Sequence, residues 1–177
     1  MLKPGVVTDR RAEIQSIGYY RPMWTSGALL LSLCLTAFGQ TLEIPPVTVD
    51  RGSPNILRIT LRPLAEKPLA ALQWDLVYRD RFRIAPAGIV PGEASEKAGK
   101  TVTCVPKAPD GANSRMACIL AGGVQALSAG VIAIVRFETA QNAPKGEAIV
   151  DLENIVGVSP ALEPIPMKST WTSITVR

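Results

Sequence analysis

The sequence predicts an all-β fold, an antiparallel β-sandwich of about nine short strands preceded by an N-terminal signal segment. Three observations carry this reading. Residues 69–78 place Leu72, Trp74, Leu76 and Tyr78 at every second position, and successive strand side chains point to opposite faces, so these four share one face and a core. Fifteen prolines and fourteen glycines are spread along the 177 residues, as short strands joined by turns require. After Gln40 no segment shows helical periodicity, a repeat or a heptad. Regularly spaced strands with turn signals between them indicate a sandwich.

The remaining elements follow in order. Residues 42–49 read as an edge strand, because Pro45 and Pro46 interrupt it and proline is confined to edges and bulges. Residues 51–54 form a turn. In the next strand Leu57, Ile59 and Leu61 point inward, and Arg58, Thr60 and Arg62 outward. A loop at 63–68 leads into the central strand. Residues 82–90 read as a weaker strand and 91–100 as a polar loop. Strands at 100–105 and 115–120 flank a turn around Gly111, and 122–130 is a loop of small residues. Residues 131–139 are apolar on both faces at their start, which marks a central strand. Residues 147–158 form a strand with Ala148, Val150 and Leu152 on one side. Pro160, Pro164 and Pro166 then oppose regular pairing, and residues 171–176 close the chain as a last strand.

Hydrophobic residues make up 47% of the chain and charged ones 19%, enough apolar material for a core. The length suits one domain plus an extension: residues 1–40 as extension and signal peptide, 41–177 as the sandwich. The formal charge is +4, but four of the basic residues and two of the acidic ones precede Thr41, leaving +2 for the rest. That balance points to no nucleic-acid partner. The chain contains no histidine. This excludes Ser-His-Asp and Cys-His catalysis and His-based zinc sites, and no enzyme activity, metal or cofactor is expected.

Residues 27–38 form an apolar run too short to span a bilayer comfortably. Arg21 lies upstream, and Ala37 and Gly39 are small residues where a signal peptidase reads. The segment therefore reads as a secretory signal with cleavage near Gly39/Gln40, beginning at Met1 or at Met23, and as the chain's link to a membrane. Leu33 occupies the position where a lipoprotein signal needs a small residue before Cys34. The expected location is extracytoplasmic, secreted or at the cell surface.

Cys104 and Cys118 lie at equal offsets from Gly111. Equal offsets place them opposite each other on antiparallel strands, near the separation a disulfide needs, and an exported protein meets an oxidising compartment.

Leu72-Gln73-Trp74-Asp75-Leu76-Val77-Tyr78 resembles the strand of cohesin-type domains that reads aromatic-x-Leu-x-Tyr before an Asp-Pro turn. Gly130-Val131-Ile132-Ala133-Ile134-Val135-Arg136-Phe137 resembles a later cohesin signature, a glycine followed by an apolar strand ending in Phe. Ala121-Gly122-Gly123-Val124 stands where such domains have a small-residue loop. Arg79-Asp80-Arg81 replaces Asp-Pro. The resemblance runs over the whole mature chain and implies a nine-stranded jelly roll that binds another protein, a dockerin-like module; it transfers no partner-reading residue.

The residues themselves point to one face. With Leu72, Trp74, Leu76 and Tyr78 in the core, Ala71, Gln73, Asp75 and Val77 form the other side of the central strand. A central strand is held on both sides and presents side chains at little ordering cost, so these four are the expected partner-binding residues. Two further readings stay open: a carbohydrate-binding module taking a polysaccharide, which coplanar exposed aromatics would favour, and a structural subunit of a surface assembly, which a long free edge strand would favour.

Other groups have plain readings. Trp74 belongs to the core, and Trp171, among Ser and Thr, is the exposed aromatic. Arg79, Arg81 and Arg83 project from one side if their strand continues, forming with Arg58 and Arg62 a basic patch or a solvated edge. Asp75, Asp80 and Asp110 are too scattered for a calcium loop, and Glu93 and Glu96 lie in a polar loop unsuited to acid catalysis.

Overall fold

The computed structural model describes residues 40–62 and 67–177. The apolar run, its cleavage junction, both candidate start methionines and Cys34 lie outside the described residues, as does most of the loop before the central strand.

The described residues form β1 (Gln40–Glu43), β2 (Val47–Val49), β3 (Pro54–Arg62), β4 (Ala71–Arg79), β5 (Phe82–Arg83), β6 (Ile89–Pro91), β7 (Thr101–Asp110), β8 (Asn113–Ala121), β9 (Gly130–Thr139), β10 (Gly146–Val158), β11 (Pro164–Ile165), β12 (Met167–Ser169) and β13 (Thr172–Val176), with one helix, α1 (Glu93–Lys97). One sheet runs β12-β1-β3-β9-β5, with β6 also on β9. The other runs β2-β13-β10-β4-β8-β7, with β11 also on β10. Pairing is antiparallel except for β1 with β12 and β2 with β13. The all-β sandwich is therefore as the alternation pattern predicts.

The core lies between the sheets. Leu57, Ile59 and Leu61 of β3 and Val135 and Phe137 of β9 face Leu72, Trp74 and Leu76 of β4, with Met116, Leu120, Val150 and Leu152 beside them, all buried. Each such side chain contributes about 1.5–3 kcal/mol by leaving water. β4 is central to its sheet, paired with β10 on one side and β8 on the other.

Several local readings are corrected. The segment read as one edge strand at 42–49 is two strands, β1 in one sheet and β2 in the other. Pro45 and Pro46 lack the N–H that a ladder needs, so the chain changes sheet there. Residues 82–90 likewise break into β5, a 3₁₀ turn at Pro86–Gly88, and β6. Arg79, Arg81 and Arg83 do not share a strand: the chain turns after Arg79 and crosses to the opposite sheet, where Phe82 and Arg83 pair with β9. The loop at 91–100 contains α1, whose Ser95 is buried and donates its hydroxyl to the Ile132 carbonyl at 2.7 Å. Five residues are too few for a helical period to register. The prolines near 160–166 shorten pairing rather than abolish it, since β11 and β12 pair over two and three residues.

The β7–β8 hairpin is longer than the alternation suggested and turns through Gly111 and Ala112. Gly111 has φ +59°, a conformation that glycine adopts without steric cost at the first central position of a tight hairpin turn. Cys104 and Cys118 are registered opposite one another, with Cα atoms 4.1 Å apart and their sulfurs joined as a disulfide.

Candidate functional site

The outward surface of the β7-β8-β4-β10 sheet is ordered in cross-strand rows. Gln73 on β4 is opposite Ile119 on β8 and Val156 on β10, and Thr103 on β7 is opposite Ile119. The next row reads Val105, Ala117, Asp75 and Glu153, and the one after it Lys107, Arg115, Val77 and Asp151.

Of the four residues expected on this face, Gln73 is exposed, Ala71 half-buried, and Asp75 and Val77 buried. Asp75 was expected to be displayed, but its exposure is 1%. Its Oδ2 accepts hydrogen bonds from Lys107 Nζ and Asn154 Nδ2, each at 2.7 Å. Lys107 reaches it from β7 across β8, where Ala117 beside Asp75 is small. Asn154 reaches it from an irregularity in β10, where register shifts between Glu153 and Val156. Asn154 has φ +50°, a conformation Asn tolerates better than most residues. Alongside, Arg115 Nη1 holds Glu153 Oε2 at 2.7 Å.

Burial by itself raises the Asp75 pKa. The hydrogen bonds from Lys107 and Asn154, with the attraction of Lys107 and Arg115, outweigh it and hold the carboxyl below its ordinary value. Asp75 is thus an ionised carboxylate whose Oδ2 is held from two sides beneath the face.

Strand alternation in the central strand does not reveal the apolar residues around Gln73. Ile119 on β8 and Val156 on β10, which flank Gln73, are 50% and 46% exposed, and Val105 on β7, one row further along, is 55% exposed. Their separate strands hid them, although outward positions occupied by Val or Ile were a signal within each. Gln73 thus stands between two exposed apolar side chains on the outer face.

Other expectations resolve as follows. Trp74 is fully buried and Trp171 is exposed. Trp171 is the one exposed aromatic among the described residues, so they supply no coplanar set for sugar stacking. Glu93 pairs with Lys97 on the surface of α1 at 2.7 Å. Among the described residues no three Cys, Asp or Glu side chains converge as a metal site would need, and no helix is long and apolar enough to cross a membrane.

This two-sheet sandwich, with β4 between β8 and β10, has the fold of cohesin domains. The sixth cohesin of scaffoldin B from Acetivibrio cellulolyticus, solved with the Cel5 dockerin, aligns with a TM-score of 0.66 at 18% identity, covering 78% of this chain and 99% of that one. A type I cohesin from Clostridium thermocellum, also solved with a dockerin, gives 0.64 at 12% identity over 78% and 99%. A non-cellulosomal cohesin from the archaeon Archaeoglobus fulgidus gives 0.58 at 10% identity over 78% and 91%. No protein-family model and no curated protein sequence matches the chain.

Proposed function

We propose that this chain is an exported, non-catalytic binding module whose outer β7-β8-β4-β10 face docks a protein of the dockerin kind. The observation that supports it most is the placement of Gln73 between Ile119 and Val156 in register, an apolar surface with a polar centre on a strand paired on both sides. Ala71, Gln73, Asp75 and Val77 form its spine. Gln73 and Ala71 contact the partner, while Asp75 and Val77 hold the surface flat from within. The fold shared with cohesins solved in dockerin complexes supports a protein partner. Flat, partly apolar surfaces suit proteins better than small ligands, which need concave sites. The apolar run before Gln40 and the disulfide support export.

Binding of the module to a panel of purified dockerin modules, measured by surface plasmon resonance, tests this reading. We expect at least one micromolar or tighter complex, weakened at least tenfold by Gln73→Arg or Ile119→Arg, because a central long charge meets an apolar partner surface. Unchanged binding by both folded variants would exclude this face. Retention of polysaccharide alone would favour the carbohydrate-module alternative.

A further inference from the structure

The outer face of the opposite sheet has another chemistry. Arg58 on β3, Arg136 on β9 and Arg83 on β5 are exposed. Arg58 is opposite Ile134, Arg136 opposite Ile56, and Arg83 opposite Glu138. Each arginine is therefore the diagonal neighbour of the next, and the three form one line across three strands with steps of about 7–8 Å. Among the described residues none of the three makes an ion pair, whereas Arg62 on the same strand as Arg58 is held by Glu43. At the β5 end of the line lies a groove of about 870 Å³, with Ile56, Tyr78, Phe82 and Ile84 in its wall and Arg83, Arg136 and Glu138 also lining it.

We propose that this face is a second binding surface, for an extended acidic polypeptide segment. Alternate carboxylates of the segment pair with Arg58, Arg136 and Arg83, and an apolar side chain following them enters the groove. The spacing supports a peptide: an extended chain rises about 3.3 Å per residue, so alternate side chains on one side recur at about 6.6 Å, close to the arginine steps. Arginine also fits carboxylates through two parallel hydrogen bonds. An acidic polysaccharide has no aliphatic side chain for the groove, and a bilayer surface does not enter a recess. Glu138, opposite Arg83, is the one acid lining the groove, so the contact at Arg83 is the weakest of the three carboxylate contacts and the recess itself takes the apolar residue.

The probe is a fluorescent peptide, acetyl-Thr-Glu-Thr-Glu-Thr-Glu-Thr-Leu-Thr, titrated with the sandwich and followed by anisotropy. We expect saturable binding that weakens with added salt, and a roughly tenfold loss in the double variant Arg58→Ala/Arg136→Ala. Replacing Glu by Gln, or Leu by Ser, in the peptide should weaken binding as well. Gln73→Arg should bind the peptide like wild type, which separates this surface from the one proposed above. No anisotropy change, equal binding by the folded double variant, or equal binding of the Gln peptide would overturn the proposal. So would arginine-dependent binding of polygalacturonate or of phosphatidylserine vesicles with the peptide inert, which assigns the arginines to a glycan or a lipid.

Discussion

Lys107 Nζ lies 2.7 Å from Asp75 Oδ2, although the two residues belong to strands separated by β8. Asn154 donates to the same oxygen from the opposite side, so one buried carboxylate ties the edge strand β7 to β4 and β10. Removing the lysine leaves Asp75 with one of its two donors. Lys107→Met should therefore destabilise the fold by about 1 kcal/mol, discounted for the partial exposure of the lysine. Asn154→Gly, which keeps the positive φ, should cost a similar amount. Urea unfolding midpoints will measure both, and no change in either would remove the carboxylate from any structural role.

The same carboxylate sets a pH dependence. Its folded pKa is lowered below 3.8, so the folded chain binds this proton less readily than the unfolded one. The stabilisation is complete well above that value and is lost as pH falls through it toward the folded pKa. The stability difference between wild type and Asp75→Asn should thus be full above about pH 5 and shrink steadily below about pH 4. A difference that stays constant down to pH 2 would contradict this sign.

The disulfide lies beneath the proposed docking face, with Cys118 opposite Trp74 as well as Cys104. Non-reducing peptide mapping of exported protein should recover the two cysteines linked. Reduction should lower stability by about 3 kcal/mol in the chain-entropy account of a loop of this length. It should also change Trp74 fluorescence without unfolding the sandwich. Two free thiols in oxidised material would refute the pairing.

Gly92 sits at the start of α1, where a Cβ would lie 2.4 Å from the Val131 carbonyl oxygen. Its φ is −92°, so the constraint is space and not backbone conformation. Gly92→Ala should cost about 1–3 kcal/mol as β9 and α1 separate. Thermal unfolding will report it, and a neutral effect would show that the helix shifts freely.

The export proposed above predicts a mature chain that begins at or near Gln40. Intact-mass measurement of secreted protein should show loss of the preceding residues, whereas a mass that retains Leu29 and Leu35 would indicate an anchor.

Period-two alternation was readable directly in β3, β4 and β10, because each has one face in the core and every second side chain must then be apolar. The cysteine pairing was readable too, because a hairpin is a local structure whose register follows from its turn. The outward position of Gln73 was readable as well, but not the burial of Asp75 and Val77 on the same side of β4. Burial of Asp75 depends on Lys107 and Asn154, which lie 32 and 79 residues away in the chain. The apolar pair flanking Gln73 and the arginine line across β3, β9 and β5 likewise exist only once strands distant in sequence are paired. Alternation along one strand is imposed by backbone geometry and is written locally. Which strand stands beside which is decided by packing of the whole core, and the surfaces that those pairings assemble belong to the tertiary structure.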